Sequence, residues 1–127
     1  MSNLSGITGK VVERSGGPRF LVHWRARLFL ADKVIHSATV TSIFKTGLCI
    51  RFHQAIGLGS DMNLEFLVNF RKEAHRIRVK AKVEYCLLSG NGADVDVLIT
   101  QVSREHNHLL GNILQELSEA KEFNLRQ

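Results

Sequence analysis

Apolar and polar residues alternate along most of this chain, and a period of two is the mark of a pleated strand with one buried face. The clearest run is His75–Leu88. Ile77, Val79, Ala81, Val83, Tyr85 and Leu87 form one face, and Arg76, Arg78, Lys80, Lys82 and Glu84 the other. Met62–Phe70 repeats the pattern with Met62, Leu64, Phe66, Val68 and Phe70. In Arg19–Ile35, Trp24, Ala26, Leu28 and Leu30 share one parity and Arg25 and Arg27 the other. His36–Phe52 predicts two strands joined at Lys45-Thr46-Gly47. Ala38, Val40 and Ser42 alternate with Thr39, Thr41 and Ile43, then Leu48, Ile50 and Phe52 oppose Cys49 and Arg51. Gly47 falls where a tight reversal can require a positive φ, which glycine tolerates best. Ala93–Val102 closes the series with Val95, Val97 and Ile99 inward.

The punctuation between these runs fits hairpins. Asp32-Lys33 predicts a bend, Gly57-Leu58-Gly59-Ser60-Asp61 a loop, Arg71-Lys72-Glu73-Ala74 a polar connection and Ser89-Gly90-Asn91-Gly92 a hairpin turn. At Ser103 the period changes. Serine is a good N-cap, and Leu109, Leu110, Ile113, Leu114 and Leu117 then mark one face of a helix. Six short antiparallel strands followed by one helix favour a closed or nearly closed barrel over an open sheet. The amphipathic helix would cover one opening or edge. The expected organisation is an N-terminal arm over 1–18, with a short strand at Val11–Val12, then a single domain over 19–123 and a tail over 124–127.

A chain of 127 residues is long enough for one real core. It contains no run of 18 apolar residues, so no membrane span is expected, and its N-terminus lacks the apolar stretch of a secretory signal, which makes the cytoplasm the expected address. The net charge of +5 is uneven. Residues 1–60 hold eight Lys/Arg against two acids, 61–102 six against six, and 103–127 three against four. The excess therefore lies in the first half, where an anionic partner would be received. The two cysteines, Cys49 and Cys86, sit inside strands and are expected to be reduced packing residues.

Little in the sequence points to catalysis or metal. Asp94 and Asp96 share one strand face and are expected to be solvated. His106 and His108 are two apart at a helix start, whereas paired ligands on one helical face want three or four. His23, His36, His53 and His75 show no ligand spacing. No GxSxG, HExxH, CxxC or P-loop pattern occurs, so no enzyme and no cofactor are expected. Two basic constellations remain. Arg76, Arg78, Lys80 and Lys82 project from one side of a strand at a repeat that can track a phosphate backbone. That face carries no aromatics to stack on bases, which leaves nucleic acid as the alternative partner. Arg19, His23, Arg25 and Arg27 precede the central hairpin, and arginine forks suit phosphates and guanine edges.

From Arg19 to about Leu114 the chain resembles a PilZ domain, the bacterial six-stranded barrel that binds cyclic di-GMP. The resemblance rests on the order of a basic segment, the VTSIFKTGLCIRF hairpin, the GLGSDMNLEFLV loop and strand, the RIRVKAKVEY and ADVDVLITQV strands, and SREHNHLL opening a helix. It implies a mainly β fold, a six-stranded antiparallel barrel with one C-terminal α-helix. It also implies a regulatory role in cyclic di-GMP signalling, in the context of motility and type IV pili. The family's ligand motifs are altered. R-x-x-x-R becomes His23-x-x-x-Arg27, with Arg25 or Arg19 as substitutes, and [DN]-x-S-x-x-G becomes Ser42-x-Phe44-x-x-Gly47. The resemblance thus implies cyclic di-GMP as a ligand of Arg19, His23, Arg25, Arg27, Ser42 and Gly47, weakened or absent through these changes. A protein partner is then expected to carry the function, with Trp24 and Phe44 as candidate apolar anchors.

Overall fold

The computed structural model describes residues 17–126, with side-chain environments through residue 120. Most of the expected N-terminal arm, including the Val11–Val12 strand, lies outside the described residues. The elements are β1 (Phe20–Phe29), β2 (Ile35–Phe44), β3 (Gly47–Phe52), β4 (Asp61–Phe70), β5 (Glu73–Ser89), β6 (Gly92–Val102) and α1 (Arg104–Arg126). All strand pairs are antiparallel, and the order β1-β2-β3-β6-β5-β4 closes on itself where Ala26, Arg27, Leu28 and Phe29 face Phe66, Glu65, Leu64 and Asn63. The expected mainly β barrel with one C-terminal helix is what the chain forms. Closure removes the unpaired edges that an open sheet of this size would leave.

The inward set fills the barrel. Leu28, Val40, Leu48, Ile50, Phe66, Ile77 and Val95 are fully buried. Each such side chain contributes about 1.5–3 kcal/mol on removal from water. Trp24 stacks flat on Phe66, centroids 5.6 Å apart and planes within 1°. α1 adds Leu110 and Ile113 to the same core. Ser103 caps it as expected, its Oγ accepting the His106 N–H at 3.1 Å. His106 Nδ1 in turn accepts the Arg78 N–H at 3.2 Å, just beyond the last β5–β6 pair, and Arg71 Nε donates to Glu116 at 2.9 Å.

Two local expectations need correction. The β4–β5 connection is only Arg71-Lys72, because Phe70 already pairs with Glu73. Both turn residues have positive φ, 53° and 66°, the geometry of the two-residue turns that match strand twist. The alternation of β5 also breaks after Val83. Val83 pairs with Val97 but Tyr85 pairs with Asp96, so Glu84 is an extra residue. Cys86 then packs against the core, while Tyr85 and Leu87 turn outward, 36% and 51% exposed.

Candidate functional site

The outer face of β1, β2, β3 and β6 gathers most of the residues that the sequence singles out. A bulge in β2 aims them. Val40 pairs with Ile50 and Ser42 with Cys49, so Thr41 is unmatched on β3. Ser42 therefore joins the outward set, Ile43 turns into the core, and Phe44 turns outward opposite Gly47. This reverses the expected parity at Ser42 and Ile43, because an inserted residue shifts every later side chain to the other face. The registers then define two rows across the face. Leu21, Ser42, Cys49, Asp96 and Tyr85 form one, and Arg25, Thr39, Arg51, Asp94 and Leu87 the other.

Arg19 closes the first row. Its Nη1 and Nη2 donate to Oδ1 and Oδ2 of Asp96 at 3.0 and 2.9 Å. The guanidinium carbon also lies 4.1 Å from the centroid of the Phe44 ring. The two paired side chains are 11% and 4% exposed. A planar fork on a carboxylate is the strongest ion-pair geometry available to a protein, and the ring beneath it adds a cation–π contact. Arg19 Nε is buried with no hydrogen-bond partner among the described residues.

Gly47 is the hinge of this arrangement for a reason other than the expected one. Its φ is not in the left-handed region. Instead, a Cβ there would sit 2.0 Å from the Val97 carbonyl oxygen and 3.2 Å from a Phe44 ring carbon. Glycine is required by the close approach of β3 to β6, not by the turn.

The neighbouring groups are structural in chemistry. Burial pushes the Cys49 thiol up to about 11, reinforced by the nearby Asp96 and Asp94 carboxylates, so it stays protonated and is a poor nucleophile. Thr41 Oγ1 donates to the Cys49 carbonyl at 3.3 Å. In the second row, Arg51 donates to Asp94 at 3.2 Å and to the Ser89 carbonyl, tying β3 to the β5–β6 turn.

Of the expected ligand residues, the structure brings Arg19, Ser42 and Gly47 together with Phe44. Arg25 and Arg27 lie farther along β1, and His23 lies on the outer face between Leu21, which pairs with Ser42, and Trp24. These three are exposed on β1. Arg25 pairs with Thr39 and Arg27 with Ser37. Thr39 is five residues from Phe44, roughly 16 Å along a strand. Of the two expected partner anchors, Phe44 is 2% exposed beneath Arg19, and Trp24 is half-buried, stacked on Phe66. The basic stripe is partly neutralised. Arg78 and Arg76 lie 2.7 and 3.8 Å from Glu65, and Lys82 is 4.0 Å from Asp61. Among the described residues, no group of three or more His, Cys, Asp or Glu side chains is placed to hold a metal, and no helix is long and apolar enough to cross a membrane.

The residue that the sequence reading missed is Asp96. It was expected to be solvated, yet it is 3% exposed and gripped by Arg19. Its partner lies 77 positions away, and the only local signal is an acid on a strand otherwise rich in buried valines.

No family model and no curated protein sequence matches the chain. Solved structures do. The inhibitor of motility MotI/DgrA of Bacillus subtilis superposes with a TM-score of 0.72 at 12% identity, covering 91% of this chain and 55% of that one. This chain thus spans about half the length of that structure. The PilZ domain of YcgR from Escherichia coli, solved with cyclic di-GMP, superposes with a TM-score of 0.62 at 14% identity, covering 91% of this chain and 99% of that domain. With six antiparallel strands in a closed barrel, a C-terminal helix and these superpositions, the chain has the fold of a PilZ domain.

Proposed function

We propose that this chain is a non-enzymatic regulatory module of bacterial cyclic di-GMP signalling, in which nucleotide binding is weakened and protein partners carry most of the output. The observation behind this reading is the Arg19–Asp96 pair on the Phe44 ring. By the family resemblance, a nucleotide would lie beside Ser42, Phe44 and Gly47. Here Arg19, the arginine among the described residues that reaches them, already has both terminal nitrogens engaged by a carboxylate of the same chain. A phosphate would have to displace Asp96, leaving a buried carboxylate without its main counter-charge. Arg25 and Arg27 stand too far along β1 to replace Arg19 in the same pose.

The similarity to a PilZ domain solved with cyclic di-GMP supports the signalling context, and that to an inhibitor of motility supports motility as the setting, while type IV pili and surface behaviour rest on the family resemblance alone. A cytoplasmic address follows from that setting. Binding of nucleic acid along Arg76, Arg78, Lys80 and Lys82 is the weaker reading, because Glu65, shared by Arg76 and Arg78, and Asp61, 4.0 Å from Lys82, offset about half of the stripe's charge.

Calorimetric titration with cyclic di-GMP tests the proposal. The expected outcome is no saturable heat in the low-micromolar range for the wild type, and no change in the Arg25→Ala/Arg27→Ala double variant. Saturable wild-type binding tighter than about 10 μM, roughly −7 kcal/mol, that disappears in Arg19→Ala would sink the weakened-binding reading.

A further inference from the structure

A groove of about 890 Å³ runs between α1, the β2–β3 turn and the end of β6. Leu98, Ile99, Val102 and Leu114, all half-buried, supply apolar surface, Lys45 and Arg104 stand on its rim, and no carboxylate among the described residues lines it. Gly111 forms part of the helical wall. Glycine is the poorest helix former short of proline, and none of the described residues comes within 4 Å of where its Cβ would be. No contact among the described residues accounts for a glycine in the middle of α1. An approaching backbone would account for it, since glycine leaves that space open.

We propose that this groove is the docking site for an acidic amphipathic segment of a partner protein. The apolar surface matches a segment whose anchors recur three and four residues apart, and the two rim cations match its carboxylates. The alternatives complement the groove less well. Residues 1–16 of this chain carry Lys10 and Arg14 against Glu13 alone. A second copy would offer Glu116 and Glu119, but these are engaged by Arg71 at 2.9 Å and Gln115 at 3.2 Å. The proposal extends the partner-contacting reading above and is independent of whether cyclic di-GMP binds.

Panning a phage-displayed library of random 16-residue peptides on the full chain tests it. The enriched pool should be net negative, with apolar residues three and four apart. Synthetic members of the pool should bind Gly111→Leu and Lys45→Glu/Arg104→Glu at least tenfold more weakly than wild type. Gly111→Leu should melt at or above the wild-type temperature, because the position is open and leucine is the better helix former, so lost binding is not misfolding. No enrichment, a basic pool, or undiminished binding to Gly111→Leu overturns the proposal. So does a concentration-dependent dimer in sedimentation that Gly111→Leu abolishes, which would make a second copy the occupant. Failure of the panning leaves the calorimetric result standing, and the reverse also holds.

Discussion

Replacing Asp96 with asparagine removes a charge and keeps the shape, so it isolates what the Arg19 pair contributes. Removing one partner of a buried pair typically costs 3–5 kcal/mol, because the other charge is left uncompensated. Two features lower the figure here. The asparagine oxygen still accepts one of the two N–H bonds, and a bond to a charged group is worth about 1.5–3 kcal/mol. Arg19 is also 11% exposed just ahead of β1, so it can swing toward water. The expected loss is therefore about 2–3 kcal/mol. Urea unfolding can be followed through Trp24, the single tryptophan, which sits against Phe66 in the core. A cycle with Arg19→Met and the double variant separates the pair from the loss of either group alone. The coupling should exceed about 1.5 kcal/mol and should barely change between low and high salt, since a buried pair is weakly screened. A coupling below about 0.5 kcal/mol, or one erased by salt, would show a solvated arginine. The view of this face as occupied by its own side chain would then fall.

Gly47→Ala should cost more than the roughly 1–3 kcal/mol of ordinary overpacking, because the obstruction 2.0 Å away is a backbone carbonyl of β6; a wild-type melting temperature would reject that close approach. Gly111→Ala should do the opposite and raise stability by up to about 1 kcal/mol, read from the same melts. Replacing Arg71-Lys72 with Asn-Gly should stabilise by about 1 kcal/mol, since each non-glycine residue in left-handed geometry is strained and the lost Arg71–Glu116 pair is exposed; a clear loss in urea unfolding would show that Arg71 holds α1 in place. For Cys49 the folded thiol keeps its proton up to about pH 11, whereas the unfolded thiol loses it near 9.0. Its contribution is therefore complete below pH 9 and falls through the window from 9 to about 11, at no more than roughly 1.4 kcal/mol per pH unit. Denaturation of wild type minus Cys49→Ala across that window should show the slope, and a flat difference would contradict the burial of the thiol.

The barrel was legible because its information is local. Alternation in β4 and in the first half of β5, the Gly90-Asn91 turn, and the serine cap with leucines at helical spacing each specify their element within about ten residues. The site was less legible because its determinants are not local. A period of two carries no mark of where an extra residue enters a strand, so Thr41 and Glu84 shifted Ser42, Ile43, Tyr85 and Leu87 to faces opposite those expected. Asp96 looked solvated because its counter-charge sits at the other end of the barrel sequence. Gly47 was located correctly and explained wrongly. The sequence shows a glycine near a turn, but only the packing shows the Val97 carbonyl beside it.

These bulges are also what builds the candidate face. If β2 ran regularly past Thr41, Ser42 and Phe44 would point into the barrel and Ile43 out of it. Arg19 would then have no ring to lie on, and Asp96 would lack the cover that keeps its pair dry. If β5 ran regularly past Val83, Tyr85 and Leu87 would enter a core that the barrel already fills with Val83, Val95 and Val97. Each bulge forgoes a regular ladder position, and both border the row that contains Cys49 and Asp96. Bulges concentrate where a strand must re-aim a side chain rather than continue a ladder. With the shift between Leu21 and Trp24 in β1, these two border one outer row of this surface, while a fourth shift, between Lys80 and Ala81, lies away from it. The charge pair at its centre is the part of that surface most exposed to test.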